Sequence, residues 1–420
     1  MGSYEAVKVR LDPTPRQGRL MASHAGAARF AYNAGLAHVK EALDNGESPD
    51  WSHYALLRWW NANKDTLAVN PDTGVVWWGQ NSKESYNMAL YGLARGFSNW
   101  SKSRKGQRKG RRIGFPRFKS KNAVAKFAYS TGFTAPKASD PYGLKLPRIG
   151  RVHCMENVYR LLAGARLIRI TVSRRAGCWY ASLTVEREQS PSPVCTPKGG
   201  AVGVDLGVKN LATLSDGTVI PNPRALGTRL KALRKAQKAL SRKVKGSARR
   251  EKAKERVARL HARVADVRAD AIHKATTMIA RNYSVVCVED LHVAGMVKNR
   301  HLAKSISDAA FGEFRRQLEY KTARSGAALH VVDRWYRSSK TCSGCGEVKA
   351  KLSLSERTYR CDSCGLVLDR DLNAAINICV AGSAPETLNA HGATVRRGGH
   401  TGRATRVSVK CEPSRRRKAP

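Results

Sequence analysis

Four cysteines and three carboxylates are the residues of this 420-residue chain whose types and settings could do chemistry. Cys342-Ser-Gly-Cys345 and Cys361-Asp-Ser-Cys364 are two Cys-x-x-Cys knuckles separated by fifteen residues. Each tight turn points two sulfurs at one tetrahedral ion, so the spacing predicts a four-thiolate zinc ribbon. Disulfides are the other use of paired cysteines, but a chain without a secretory signal is expected to keep its thiols reduced. A closed four-sulfur site does no chemistry of its own. Its interest is its neighbour, Asp371, in the run Leu368-Asp369-Arg370-Asp371-Leu372-Asn373-Ala374-Ala375.

Asp205 sits in the apolar run Ala201-Val-Gly-Val-Asp205-Leu-Gly-Val, and Glu289 ends another, Val285-Val-Cys-Val-Glu289. With Asp371 they are three acids on apolar or tightly specified segments, far apart in the chain. Burying one carboxylate on a strand is costly, and gathering three is tolerable when cations hold them together. Hard carboxylate oxygens select Mg²⁺ or Mn²⁺, and two such ions about 3.5–4 Å apart activate a water and stabilise the leaving oxygen in phosphodiester cleavage. The plainer reading has each acid cap a strand or pair with one of the many arginines. Spacing leaves both open.

Seventy-six Lys and Arg against thirty-two Asp and Glu leave a net charge of +44, which strains a compact state unless a polyanion neutralises it. Nucleic acid is the expected partner. Residues 101–121 concentrate the charge, with ten cations and no acid, among them Arg111, Arg112, Arg117 and Lys119. Such a run fits a phosphate backbone better than a plain solvated face. No apolar run approaches the roughly 18 residues that span a bilayer, and the N-terminus has no apolar signal core. No membrane partner is expected, and the chain reads as soluble and cytoplasmic. Cys154, Cys178, Cys195, Cys287, Cys379 and Cys411 lie outside any pairing motif and read as small hydrophobes or idle thiols. Trp51, Trp59, Trp60, Trp77, Trp78 and Trp100, at helical spacing, read as core more than as base-stacking surface.

The elements that must position these residues follow from periodicity. Tyr4 to Leu11 alternates as a strand, and Thr14 and Pro15 start a helix that runs to Asn45-Gly46. Further helices are expected over Ser52–Trp60 and Ser82–Trp100, then strands over Lys126–Tyr129, Leu144–Leu146, Leu167–Ser173 and Trp179–Glu186, which with the first could make a small β-barrel. Residues 189–200 read as a linker. Beyond it come strands at Ala201 and Asn210 and two long helices broken at Gly246-Ser247, the first using Leu230, Leu233, Leu240 and Val244. A central strand ending at Glu289, a helix over Ser307–Ser325 and a strand over Leu329–Val332 lead into the ribbon. The last forty residues read as a disordered basic tail.

Gly203-Val-Asp205-Leu-Gly207-Val-Lys-Asn210, Val288-Glu289-Asp290-Leu291 and Asp369-Arg-Asp371-Leu-Asn373-Ala-Ala375-Ile-Asn377-Ile378 resemble the three split motifs of a RuvC-type nuclease, which has an RNase H-like fold. With the ribbon inserted before the third motif, the chain resembles the TnpB family of RNA-guided nucleases encoded by bacterial insertion sequences, relatives of the compact type V CRISPR effectors. Arg337-Ser-Ser-Lys-Thr-Cys342, Gly114-Phe-Pro-Arg-Phe-Lys-Ser-Lys121 and Lys8-Val-Arg-Leu-Asp-Pro-Thr14 extend the resemblance, which covers about residues 4 to 380.

The resemblance implies an α+β multidomain chain. A wedge-like β-barrel (1–22 and 122–188) would carry an inserted helical recognition domain (23–121). After the linker would come a RuvC nuclease domain (201–380) with a helical hairpin (226–282) and an inserted zinc ribbon (336–368), then the basic tail (381–420). The resemblance makes Asp205, Glu289 and Asp371 the catalytic acids and ligands of Mg²⁺ or Mn²⁺. Asp369 is the rival for the third place, but the family's acid stands immediately before the x-Asn-Ala-Ala run, and that is Asp371. Cys342, Cys345, Cys361 and Cys364 match the family's structural zinc site. The implied partners are one guide RNA per monomer and target DNA, double- and single-stranded, with protein reading a short motif and base pairing reading the rest. Lys83 and Asn87, four apart on one helix face, fall near where such proteins read that motif. The implied setting is a bacterial or archaeal cytoplasm, at the nucleoid. A CRISPR-associated effector with the same chemistry and a non-catalytic RNA- or DNA-binding zinc-ribbon protein are the alternatives. A strand-joining transposase on the same fold fits the ribbon poorly.

Overall fold

The computed structural model describes residues 3–187, 199–353 and 355–383. It forms two compact units divided between residues 190 and 191. Most of the expected linker and tail, with Cys195 and Cys411, lies outside the described residues.

In the first unit, β1 (Ser3–Asp12) stops before Pro13. Helix α1 (Pro15–Asp44) starts in a capping box, in which Gln17 N donates to Thr14 Oγ1 and Thr14 N donates to Gln17 Oε1. Helices α2 (His53–Leu67) and α3 (Lys83–Arg104) follow. Then come β2 (Lys126–Tyr129), β3 (Gly143–Leu146), β4 (Gly150–Cys154), the single turn α4 (Val158–Leu161), β5 (Ala165–Arg175) and β6 (Cys178–Arg187). The sheet is antiparallel in the order β2-β5-β6-β1-β4-β3. Its two edges are drawn together by their own connection, where Thr134 exchanges both backbone hydrogen bonds with Lys145 of β3 at 3.1 and 3.3 Å. The sheet therefore curls into a half-barrel.

Alternation along β6 buries Trp179, Ala181, Leu183 and Val185, and the same core continues through Leu36 of α1 and Leu90, Leu93 and Phe97 of α3. Trp60 is buried in it, while Trp51, Trp59, Trp77 and Trp78 pack against it, so these tryptophans are core. His24 is fully buried, with Nδ1 donating to Leu20 O and Nε2 accepting from Ser82 N. Burial pulls its pKa down, and it serves the core as a neutral ring.

The second unit opens with β7 (Gly199–Asp205), β8 (Asn210–Leu214) and β9 (Val219–Pro221), then the helical pair α5 (Ala225–Ser241) and α6 (Ala248–Asn282). Strand β10 (Tyr283–Glu289), the short helices α7 (Val293–Met296) and α8 (Ala303–Ala309), α9 (Phe311–Ser325) and β11 (Ala328–Val332) follow. The ribbon hairpin β12 (Thr358–Arg360) and β13 (Val367–Asp369) runs into α10 (Arg370–Ser383). The main sheet has the order β11-β10-β7-β8-β9, an antiparallel meander β7-β8-β9 extended on the β7 side by two parallel strands. That is the RNase H-like arrangement.

Two expectations change here. The single helix expected over Ser307–Ser325 is broken at Ala310, which takes the left-handed conformation (φ 55°) and separates α8 from α9. The break accompanies a job for Asp308, whose carboxylate accepts from Leu226 N and takes Arg268 Nη2 at 2.8 Å. Asp308 thereby caps α5, whose own N-cap residue, Arg224, makes no side-chain cap bond. Val244, expected on the hairpin seam, lies past the end of α5 and is exposed. No helix among the described residues is long and apolar enough to cross a membrane.

Candidate active site

Strands β7 and β10 run parallel with Val204 beside Val288, so the next residue of each, Asp205 and Glu289, leaves the sheet at the same end and side by side. Strand neighbours lie about 4.8 Å apart. Asp371 arrives from the first turn of α10. That helix can lie on the sheet because β7 offers it a glycine. A Cβ on Gly203 would stand 2.0 Å from Ala375 O and 2.5 Å from Cys379 N. Gly203 is two residues before Asp205, and Ala375 is four after Asp371. The small residues Gly203, Ala374 and Ala375, the alanines fully buried, are what let the helix carrying one acid rest on the strand carrying another.

The electrostatics register this gathering. Desolvation first, then the charges of Glu289 and Asp371, push the Asp205 carboxyl up to about 8, against the pull of Arg370. Burial raises Glu289 too, opposed by the Ser338 hydroxyl, which donates to Glu289 Oε1. Ser338 is itself buried. Asp371 faces Arg357 at 4.0 Å. The three carboxylates do not close into one tight ligand set: among the described residues only the four cysteines bring their ligand atoms all within 4.8 Å of one another. Like charges repel, and Ser338 and Arg357 hold two of the three acids from outside. By donor type and by their mutual repulsion the acids suit a hard divalent cation.

Neighbouring acids have other work. Asp369 Oδ1 accepts from Asp371 N at 2.9 Å and Leu372 N at 3.2 Å, which makes it the cap of α10. Asp290 is paired with Arg315 and Arg334, and those hydrogen bonds hold its carboxyl below the usual range.

In the ribbon, Cys342 Sγ lies 3.6 Å from Cys364 Sγ, and Cys345 Sγ 3.6 Å from Cys361 Sγ. Zn–S bonds of about 2.3 Å would put tetrahedral sulfurs about 3.8 Å apart, so the cage fits zinc. Each knuckle closes through a left-handed glycine, Gly346 (φ 81°) and Gly365 (φ 72°), whose N–H donates to the carbonyl of Cys342 or Cys361. The Cys361 thiol is pulled down to about 7, foremost by the N–H of Cys364, while Cys342 is pushed up, foremost by burial, and Cys345 is raised too, so the four do not ionise alike without a metal.

Helix α10 is stitched to the ribbon. Asn373 accepts from Ser343 N at 2.9 Å and donates to Thr341 O at 2.8 Å, while Asn377 donates to Ser338 O at 2.8 Å and Thr341 O at 2.7 Å. The segment that orients Glu289 and the helix that carries Asp371 are thus tied to the same knuckle. Sequence patterning marks Asn373 and Asn377 as part of a motif, but their tertiary role, like that of Ser338, leaves no periodic signal.

The expected nucleic-acid contacts lie in the first unit. Arg111, Arg112 and Arg117 are exposed in the irregular stretch after α3. Lys119 is exposed as well and turns its ammonium over the Tyr32 ring, 3.4 Å from its centre, where desolvation and Lys126 lower its pKa to about 8. It lines a cavity of about 750 Å³ whose walls carry Arg29, Arg95, Lys121, Arg169 and Arg174 as well, and no carboxylate. Residues this scattered have no signature in the sequence. Lys83 and Asn87 share a second cleft of about 260 Å³ with Lys64 and Trp78. Asn87 is already engaged, with His53 Nε2 at 2.7 Å and Glu84 Oε1 at 3.2 Å.

Comparison with known proteins bears on the whole chain. Residues 182–300 match the family model of OrfB from IS605, described as "Probable transposase", and residues 311–378 match the model described as "Cas12f1-like, TNB domain". Residues 1–48 match a model described as "Helix-turn-helix domain", although here they form β1 and the unbroken α1. A Mycobacterium tuberculosis protein named "Putative RNA-guided DNA endonuclease" is 38% identical over 416 residues, 94% of this chain and 90% of its own. A Streptomyces pristinaespiralis protein of the same name is 36% identical over 423 residues, 98% of this chain and 96% of its own. Among solved structures, the Cas12f1 chain of a Cas12f1–sgRNA–target DNA complex superposes with a TM-score of 0.52 at 14% identity, covering 90% of this chain and 99% of that one. Nearly end-to-end similarity to these relatives, on an RNase H-like sheet with a four-cysteine ribbon ahead of α10, places the chain in the TnpB family.

Proposed function

We propose that the chain is an RNA-guided DNA endonuclease of the RuvC type, with Asp205, Glu289 and Asp371 as its metal-binding catalytic acids. The observation that carries this reading is the meeting of Asp205 and Glu289 at one end of two parallel strands, with Asp371 close enough to raise the Asp205 pKa. A trio in which Glu289 and Asp371 raise the Asp205 pKa is one whose repulsion a divalent cation would relieve. Two Mg²⁺ or Mn²⁺ ions at such acids activate a water and stabilise the leaving oxygen of a phosphodiester. The protein's part is to hold the carboxylates: the register of β7 and β10 fixes two, α10 on Gly203 brings the third, and Ser338 orients Glu289. Zinc in the ribbon is structural. In this reading both halves of the chain, residues 1–188 and the nuclease domain 201–380, grip guide RNA and its duplex with target DNA, Lys83 and Asn87 face the short recognised motif, and residues 201–380 cut. The test is to sequence the RNA that copurifies with the protein and offer DNA matching it with Mg²⁺. Cleavage of the matched DNA alone is expected, and protein loaded with its RNA that never nicks matched DNA would leave a binding protein only.

Two further results are expected. Guide affinity falls about a thousandfold or more between roughly 50 and 200 mM salt if six or more phosphates are neutralised, since each contact releases a counterion. A filter-binding series showing a flat response would refute the role given to the cationic walls. Ser338→Ala lowers cleavage about tenfold and raises the Mg²⁺ concentration needed for half-maximal rate, because partners behind a metal-binding carboxylate typically matter at that scale. Ser338→Thr keeps the hydroxyl and should restore the Mg²⁺ response. Equal Mg²⁺ curves for Ser338→Ala and the parent would remove Ser338 from the site.

A further inference from the structure

One large apolar side chain of the second unit faces water beside the acid site. Trp335 is 81% exposed, unlike the buried or half-buried tryptophans of the first unit. It stands on a fastened turn: Trp335 N donates to Asp333 Oδ1 at 2.8 Å and Tyr336 N to Asp333 O at 3.1 Å. Three of its neighbours are engaged by the fold. Arg334 is paired with Asp290, Tyr336 packs on Cys287, Val332 and Ile378, and Ser338 holds Glu289. The indole is turned out to solvent. Three residues of chain reach at most about 11 Å, which keeps the Trp335 backbone within that distance of Ser338.

A solvent-facing indole on a fastened turn gains nothing for the core, and its flat π face suits one class of partner in this setting. Arg337, two residues on, is exposed and forms no ion pair among the described residues. An exposed aromatic face two residues from an exposed guanidinium matches an unpaired base with its phosphate, and every base has a π face to offer. A base inside a duplex is already stacked, so the strand must be single at this point. We propose that Trp335 is a stacking platform for an unpaired base of the DNA strand delivered to Asp205, Glu289 and Asp371, with Arg337 on the adjoining phosphate. The proposal rests on the endonuclease reading.

Its test is read without cutting. In the full-length Asp205→Ala protein, a fluorescein-labelled deoxythymidine oligonucleotide reports affinity, and a copy with one 2-aminopurine reports stacking by quenching. Trp335→Ala is expected to weaken binding about tenfold, on the scale of one lost base–aromatic stack. It should abolish the quench and leave zinc content and melting temperature unchanged, while Trp335→Phe retains most of both signals. Unchanged affinity and quench in Trp335→Ala would overturn the proposal. So would sedimentation in which the substitution turns a dimer into a monomer with DNA binding intact, since the indole would then belong to a second copy of the chain. If the parent never cuts guided DNA, the nuclease reading fails; binding and quench still decide the platform.

Discussion

Asp205→Ala abolishes cleavage of guide-matched DNA, by about a thousandfold or more, and leaves RNA binding intact. The size follows from what the acid does: charge stabilisation at a metal centre amounts to several kcal/mol, and each 1.36 kcal/mol is a factor of ten in rate. RNA binding should survive because the cationic cavity lies in the first unit and none of its lining residues is near Asp205 in the chain. Asp205→Asn makes a sharper test, because it keeps the shape and removes the charge. In the metal-free fold the Asp205 carboxyl is held at about 8, far above its unfolded value near 4. The folded state therefore binds this proton more tightly than the unfolded chain. The benefit is fully present below pH 4 and lost as pH rises through about 8. Above pH 8, in buffer without Mg²⁺, Asp205→Asn should melt at a higher temperature than the parent. Adding Mg²⁺ should raise the melting temperature of the parent much more than that of the variant, since a ligand stabilises the state that binds it. A variant that cuts normally, or a parent whose melting ignores Mg²⁺, would show that these acids do not form the centre.

What could be read from the chain was local or periodic, and what could not was tertiary. The knuckles announce themselves because a four-sulfur cage needs Cys-x-x-Cys twice, and the structure brings the four sulfurs into one cluster. Strand β6 and the capping box of α1 were legible for similar reasons: alternation, and Thr14 three residues ahead of Gln17. Asp205, Glu289 and Asp371 stood out as acids in apolar settings, and strand register brings the first two side by side. Nothing in a pattern of three and four could reveal that α8 must bend at Ala310 so that Asp308 caps a helix eighty residues earlier. Nor does composition reveal that Lys119, exposed like Arg111 and Arg112 of the same basic run, sets its ammonium over the Tyr32 ring. Ser338 is one serine among many until the fold sets it against Glu289.

Loss of zinc, by contrast, should act at a distance. With Cys361→Ser, zinc per chain drops and the ribbon unfolds, because thiolate sites of this kind fold with their metal. The consequence for chemistry runs through hydrogen bonds. Thr341, adjacent to Cys342, holds Asn373 and Asn377 of α10, and Asn377 also holds Ser338, the partner of Glu289. Freeing the ribbon thus releases the support behind two of the three acids at once. Cleavage is expected to fall about 10–100-fold, the range typical when the partners behind metal ligands are lost, while the guide binding proposed for the cationic cavity persists. A purely local ribbon would lose its zinc with no change in cleavage rate at saturating Mg²⁺. Asn377→Ala separates the two cases, since it leaves the sulfurs alone and cuts the stitch: full zinc content with a cleavage rate reduced in the same direction is the outcome that makes the ribbon a support for the active site.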